Sequence, residues 1–161
     1  MTPMTTALGT LTFDPKVESI PFKPWWAILK CDYAWYELYE QWLTRAGWGT
    51  RWAKVSDPAR VNADRQSVDL RPRLGLAGGV HPPAWGPHIS VLRGEQPRVR
   101  GEWTRYEGTR VKFEYDPTDL RYNHEYLWIP VSSPALLDLR EEMGLRREPR
   151  VPLHLTIAHW K

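Results

Sequence analysis

Two stretches constrain this chain more than any others: Trp85-Gly-Pro-His-Ile-Ser-Val-Leu-Arg-Gly-Glu95 and Pro152-Leu-His-Leu-Thr-Ile-Ala-His159. Both show the alternation of a strand, and both set a His-x-Ser/Thr pair among apolar residues. Successive side chains of a strand point to opposite faces, so residues two apart share one. Leu153, Leu155 and Ile157 then make an apolar back, with His154, Thr156 and Ala158 in front; Ile89 and Val91 oppose His88 and Ser90 in the same way. Each strand therefore needs a core behind it and a cleft before it.

The surrounding sequence repeats an order of elements. Trp25 to Cys31 is a short apolar run that suits a strand. Asp32 stands where an N-cap belongs, and Trp35, Leu38, Tyr39, Trp42 and Leu43 recur at helical spacing until Gly47. Residues 48–84 are punctuated by Pro58, Pro72, Gly75, Gly78, Gly79, Pro82 and Pro83 and carry Arg51, Arg60, Arg65, Arg71 and Arg73, which predicts a long basic loop ahead of the first motif strand. Val111, Phe113 and Tyr115 then alternate with polar residues, and Asp116-Pro117 marks a turn. Tyr126 to Val131 reads as another strand. Ser133-Pro134 opens a helix that continues through Leu136, Leu137, Arg140 and Met143 to Gly144, before the second motif strand. Strand, helix, connection and motif strand thus occur twice, although the residues themselves are little alike.

Length and composition fit one domain over residues 1–161, with 42% hydrophobic residues enough for a single core. The absence of a long apolar run and of a basic-then-apolar start leads to the expectation of a cytoplasmic protein without a membrane partner. The one cysteine, Cys31, lies in an apolar run and reads as a small core residue. A net charge of +3 favours an anionic ligand without requiring a long nucleic acid. Ten tryptophans exceed what one core of this size needs, so some are candidate platforms for nucleobases.

If a pseudo-twofold relates the two passes, the polar fronts face each other across one cleft, and the two imidazoles and two hydroxyls it then holds suit phosphodiester chemistry. A neutral imidazole removes a proton from the attacking oxygen and a protonated one supplies the departing oxygen, because the ordinary histidine pKa lies near neutrality. Hydroxyls of Ser90 and Thr156 can donate to the non-bridging oxygens as charge builds. The sequence offers no third ligand at metal-binding spacing, so neither a metal nor another cofactor is expected. The competing reading is a pair of core histidines satisfied by local hydrogen bonds. His81, His124 and His159 are read as surface or structural.

His88-Ile-Ser90 and His154-Leu-Thr156, each in a hydrophobic strand, resemble the paired signature of the 2H phosphoesterase superfamily. With Lys23-Pro-Trp-Trp26 and Trp85 to Pro97, the resemblance narrows to the phage anti-CBASS phosphodiesterases, small 2H proteins that cleave the cyclic di- and trinucleotide signals of bacterial defence. The resemblance covers roughly residues 23–158. It implies an α+β, bilobal 2H phosphoesterase (LigT-like) fold, with two pseudo-symmetric strand-helix-strand halves around a central cleft. It also implies His88 and His154 as the acid/base pair and Ser90 and Thr156 as phosphate ligands, with serine at 90 where threonine is common in the superfamily.

Arg93 is a further candidate, either against a phosphate or at the cleft rim, with an ion pair to Glu95 as the competing reading. Trp26, Tyr126 and Trp128 are candidate base platforms because they lie on strands expected beside the motif strands. The activity implied is metal-independent opening of 3′,5′ linkages in cyclic di- or trinucleotide messengers, in the host bacterial cytoplasm if the chain is phage-encoded. The alternatives are a 2H RNA-processing 2′,3′-cyclic phosphodiesterase or ligase relative, and a module that sequesters nucleotides without cutting them. Oligomeric state is not readable.

Overall fold

A computed structural model describes residues 4–16, 23–31, 53–55, 67–68, 83–101, 103–119, 121–122 and 126–159. They form one sheet and one helix, an α+β arrangement. The strands are β1 (Thr5–Phe13), β2 (Trp26–Cys31), β3 (Ala53–Val55), β4 (Ser67–Val68), β5 (His88–Arg93), β6 (Arg110–Tyr115), β7 (Arg121–Tyr122), β8 (Tyr126–Pro130) and β9 (His154–His159), with helix α1 (Pro134–Glu142) between β8 and β9. Their order across the sheet is β4-β3-β7-β8-β9-β5-β2-β1-β6. Every neighbouring pair is antiparallel except β3 and β7.

One face of the sheet carries the core. Ala27 and Leu29 of β2, Ile89, Val91 and Leu92 of β5, Leu127 and Ile129 of β8, and Leu155 and Ile157 of β9 are all buried, and Leu136, Leu139 and Met143 of the α1 segment join them. β6 buries Val111, Phe113 and Tyr115 and exposes Arg110, Lys112 and Glu114, as its alternation predicts. Strand β1 was not evident in TTALGTLTF, where threonines and a glycine dilute the apolar signal. Gly9 is needed there for close approach: a Cβ would stand 2.7 Å from the Lys30 carbonyl oxygen and 2.6 Å from Leu29 Cγ. Ser133 does occupy the N-cap of α1, but its hydroxyl donates to the Lys112 carbonyl at 2.7 Å, so it ties the helix to β6 instead of capping it.

Two differences from the sequence reading matter. The expected 48–84 loop contains β3 and β4, short pieces whose Ala-Lys-Val and Ser-Val sequences carry no periodic signal; most of the remaining segment lies outside the described residues. The expected helix from Asp32 to Gly47 and residues His81 and His124 also lie outside them. Secondly, the two motif strands do not face each other across a gap. They are hydrogen-bonded neighbours, with His88 paired to Thr156 and Ile89 to Leu155. Both polar fronts therefore lie side by side on the same face.

The sheet has an internal symmetry about the β5/β9 seam. β2 flanks β5 as β8 flanks β9, and each outer pairing slips by one residue at an equivalent point. Ala27 pairs with Leu92 but Ile28 with Ser90; Leu127 pairs with Ala158 but Trp128 with Thr156. The extra residue is Val91 on one side and Ile157 on the other, each following the hydroxyl of its motif. Such bulges switch the face that later residues occupy. Strict alternation from His88 would send Arg93 to the core; the bulge buries both Val91 and Leu92 and returns Arg93 to the front.

Candidate functional site

The polar face opens into a cavity of about 720 Å³, within the range of small-molecule sites. His88, Ser90, His154 and Thr156 line it together, as do Arg93, Trp26, Tyr126 and Trp128, so all eight sequence candidates meet in one place. The register explains the floor. His88 sits opposite Thr156, and two residues further along the antiparallel pair Ser90 and His154 come to the same level. Each imidazole thus has a hydroxyl residue beside it.

The two histidines are held alike. Nδ1 of His88 lies 2.7 Å from the Gly86 carbonyl, and Nδ1 of His154 lies 2.8 Å from the Pro152 carbonyl, in each case two residues back along the chain. A carbonyl can only accept, so both Nδ1 atoms carry the proton when the rings are neutral, and both Nε2 atoms are left for the cavity. The left-handed backbone at Gly86, with φ of 70°, shapes the approach to His88. A tryptophan edge meets each ring: Trp85 against His88 at 5.3 Å and Trp128 against His154 at 6.2 Å between centroids.

Burial makes both imidazoles poor proton carriers. Desolvation pushes His88 down to about 4, against the opposing hydrogen bond to Gly86 and with help from the charges of His154, Arg93 and Lys30. His154 is also lowered, first by burial and then by Arg93, against its bond to Pro152. Arg93 Nη2 stands 3.1 Å from His154 Nε2. Because a guanidinium only donates, that contact requires a bare Nε2 lone pair.

Arg93 is not paired with Glu95 through its side chain. Glu95 accepts both Arg140 Nη1 and Nη2 at 2.8 Å, and Arg140, almost wholly buried, also donates to the carbonyls of Val91 and Arg146. Those hydrogen bonds hold the Glu95 carboxyl below the usual carboxylate range. Arg140 was read from sequence only as part of a helix. Its place facing the sheet among Leu136, Leu139 and Met143 was the available sign that a buried cation needed an acceptor within reach, which half-exposed Glu95 supplies.

The aromatic wall depends on a strained turn. Trp25 has φ of 63°, a conformation a bulky residue adopts only when its surroundings hold it there. Asp14 does the holding: its carboxylate accepts from Trp25 N at 2.9 Å and from Trp103 Nε1 at 2.8 Å, while the Trp25 carbonyl accepts from Gly94 N at 3.0 Å. The next residue, Trp26, packs against Trp85 at 5.2 Å in the cavity wall. Trp85, Lys23 and Arg121 also line the cavity and were missed as ligands. Trp85 could have been found from its place three residues before His88; Arg121 lies on a two-residue strand that no pattern marks.

The charged residues among the described lining are Lys23, Arg93 and Arg121, all cationic, so the cavity suits an anion. Among the described residues no group of three histidine, cysteine or acidic side chains is placed to hold a metal ion, and no helix is long and apolar enough to cross a membrane. No protein-family model, curated protein or solved structure matches this chain.

Proposed function

We propose that the protein is a metal-independent 2H-type phosphodiesterase that opens 3′,5′ linkages of cyclic di- or oligonucleotide messengers, as phage anti-CBASS enzymes do. The observation that carries this reading is the pair of imidazole Nε2 atoms turned to one cavity, each beside a hydroxyl residue, with Arg93 against one of them. Arg93 keeps His154 Nε2 unprotonated in the protein alone, and a bound phosphate that draws the guanidinium to itself frees that lone pair, so His154 is the base. His88 then serves as the acid. Its proton, disfavoured by burial, becomes favourable beside a bound phosphodiester anion, whose charge reverses part of the desolvation cost. Ser90, Thr156 and Arg93 stabilise the charge that develops on the phosphoryl oxygens. The tryptophan-rich wall offers stacking surface for bases, worth about 1–3 kcal/mol each.

A second reading, sequestration without cleavage, draws on the lowered pKa of both histidines, which disfavours an imidazolium in the protein alone at neutral pH. Incubation with 3′,3′-cyclic GMP-AMP in excess EDTA separates them. Linear product from the wild type, lost in His88→Ala and His154→Ala, is expected; intact nucleotide that remains bound to the protein would establish sequestration instead.

A further inference from the structure

We infer that Arg121 forms a second anion subsite, which takes the non-scissile phosphate of a substrate carrying two. The inference rests on the phosphodiesterase reading and specifies its substrate class. Directly opposed residues of antiparallel strands share a face, and Arg121 pairs with Trp128, Trp128 with Thr156, and Thr156 with His88. These four side chains lie in one row across four strands. Arg121 is two strand spacings from Thr156, about 10 Å along the sheet. The long Arg121 side chain can reach back along that row, so its guanidinium and the Thr156/His88 pair can take the two phosphates that one ribose separates in a cyclic dinucleotide, with Trp128 beside them as a surface for the base or ribose.

The register slip between Leu127 and Trp128 is what permits this. Without it Trp128 would oppose Ile157, whose side chain is in the core, and the row would be broken. Arg121 is also held ready. Its Nε and Nη2 donate to the two carboxylate oxygens of Asp119, each at 3.0 Å, so one edge of the guanidinium is fixed and the Nη1 donors lie outside that pairing. Arg121 lines the cavity, whereas Asp119 does not. A simple surface ion pair would need neither this row nor this direction. The other lining cations are Lys23 and Arg93, and the Arg93 guanidinium lies against His154, which leaves Arg121 as the cation of the β7 side.

The test compares Arg121→Gln and Arg121→Lys with the wild type on two substrates: 3′,3′-cyclic GMP-AMP, with two phosphodiesters, and the linear dinucleoside monophosphate of the same bases, with one. Arg121→Gln should raise KM for the cyclic substrate at least ~10-fold, as expected for loss of a charge-assisted hydrogen bond. Arg121→Lys should fall between, and the linear substrate should change less than about twofold, since its single phosphate occupies the histidine site. Equal loss on both substrates, or loss on neither, overturns the subsite. If the wild type cuts neither substrate, the phosphodiesterase reading fails by itself, and calorimetric titration of cyclic GMP-AMP then decides the subsite: tenfold weaker binding to Arg121→Gln supports it, and unchanged binding or none to the wild type overturns it.

Discussion

The guanidinium of Arg93 and the imidazole of His154, 61 positions apart in sequence, meet at 3.1 Å through Nη2 and Nε2. The contact makes Arg93 an influence on the proton inventory of the cleft, beside the phosphate contact proposed for it. Catalysis by two histidines needs one neutral and one protonated, and both are lowered in the free protein. Above the higher of the two pKa values the singly protonated form declines about tenfold per pH unit, so kcat/KM is expected to fall with rising pH from an optimum on the acid side of 6.5. Arg93→Gln removes a positive neighbour from His154 and should move that falling limb to higher pH, while kcat drops ~10²-fold for want of a charged donor. pH–rate profiles of the two proteins check this; a reduced rate with an unmoved limb would confine Arg93 to substrate contact.

The same burial makes stability depend on His88 in acid. Its pKa is about 4 in the fold against 6.5 for the unfolded chain, so the unfolded state binds the proton first as pH drops. The neutral-ring stabilisation is complete above about 6.5 and lost progressively down to about 4, roughly 3 kcal/mol in all. Urea unfolding at stepped pH should show this decline in the wild type and a flatter one in His88→Gln. Equal slopes would mean that other groups carry the acid sensitivity.

Arg140 holds the Glu95 carboxylate, the nearest competitor for Arg93 in sequence, in a pairing of its own. Arg140→Met leaves the Val91 and Arg146 carbonyls and the Glu95 carboxylate without their donor, and should cost roughly 3 kcal/mol of stability. The released carboxylate, two residues from Arg93, would draw its guanidinium off His154. The double variant Arg140→Met/Glu95→Gln is therefore expected to recover part of the activity lost in Arg140→Met without recovering its melting temperature. Activity that merely tracks stability across both variants would leave Arg140 with a packing role alone.

The parts of the fold that were legible are those where period and burial agree. β2, β5, β6, β8, β9 and α1 stand close to their expected places because each is an apolar or alternating run bounded by turn residues, or, for α1, a run opened by Ser133-Pro134 and closed at Gly144. β1 escaped notice because its core is carried by Ala7, Leu11 and Phe13 around a glycine that exists to let a neighbour in. Single-strand alternation gave the faces of His88, Ser90, His154 and Thr156 correctly, yet it could not reveal that the two strands are partners, since pairing over so many residues leaves no local trace. The face of Arg93 was beyond alternation altogether, because it depends on a bulge that Val91 shows only in register with β2. Glu95 offered an obvious local partner for Arg93, and the competing claim of Arg140 comes from a different element.

The β5/β9 junction is short: the ladder between them is His88 to Thr156 and Ile89 to Leu155, whereas β2/β5 and β8/β9 are each matched at five positions. The cleft is thus built astride a short joint between two longer strand pairings, with one histidine and one hydroxyl residue on each side of it. A slight parting there would separate His88 from Thr156 and Arg93 from His154 while both flanking strand pairs stayed whole. The spacing of the reacting groups is in that sense a gauge of whether the two halves are closed, and function would be forfeited well before the fold itself gave way.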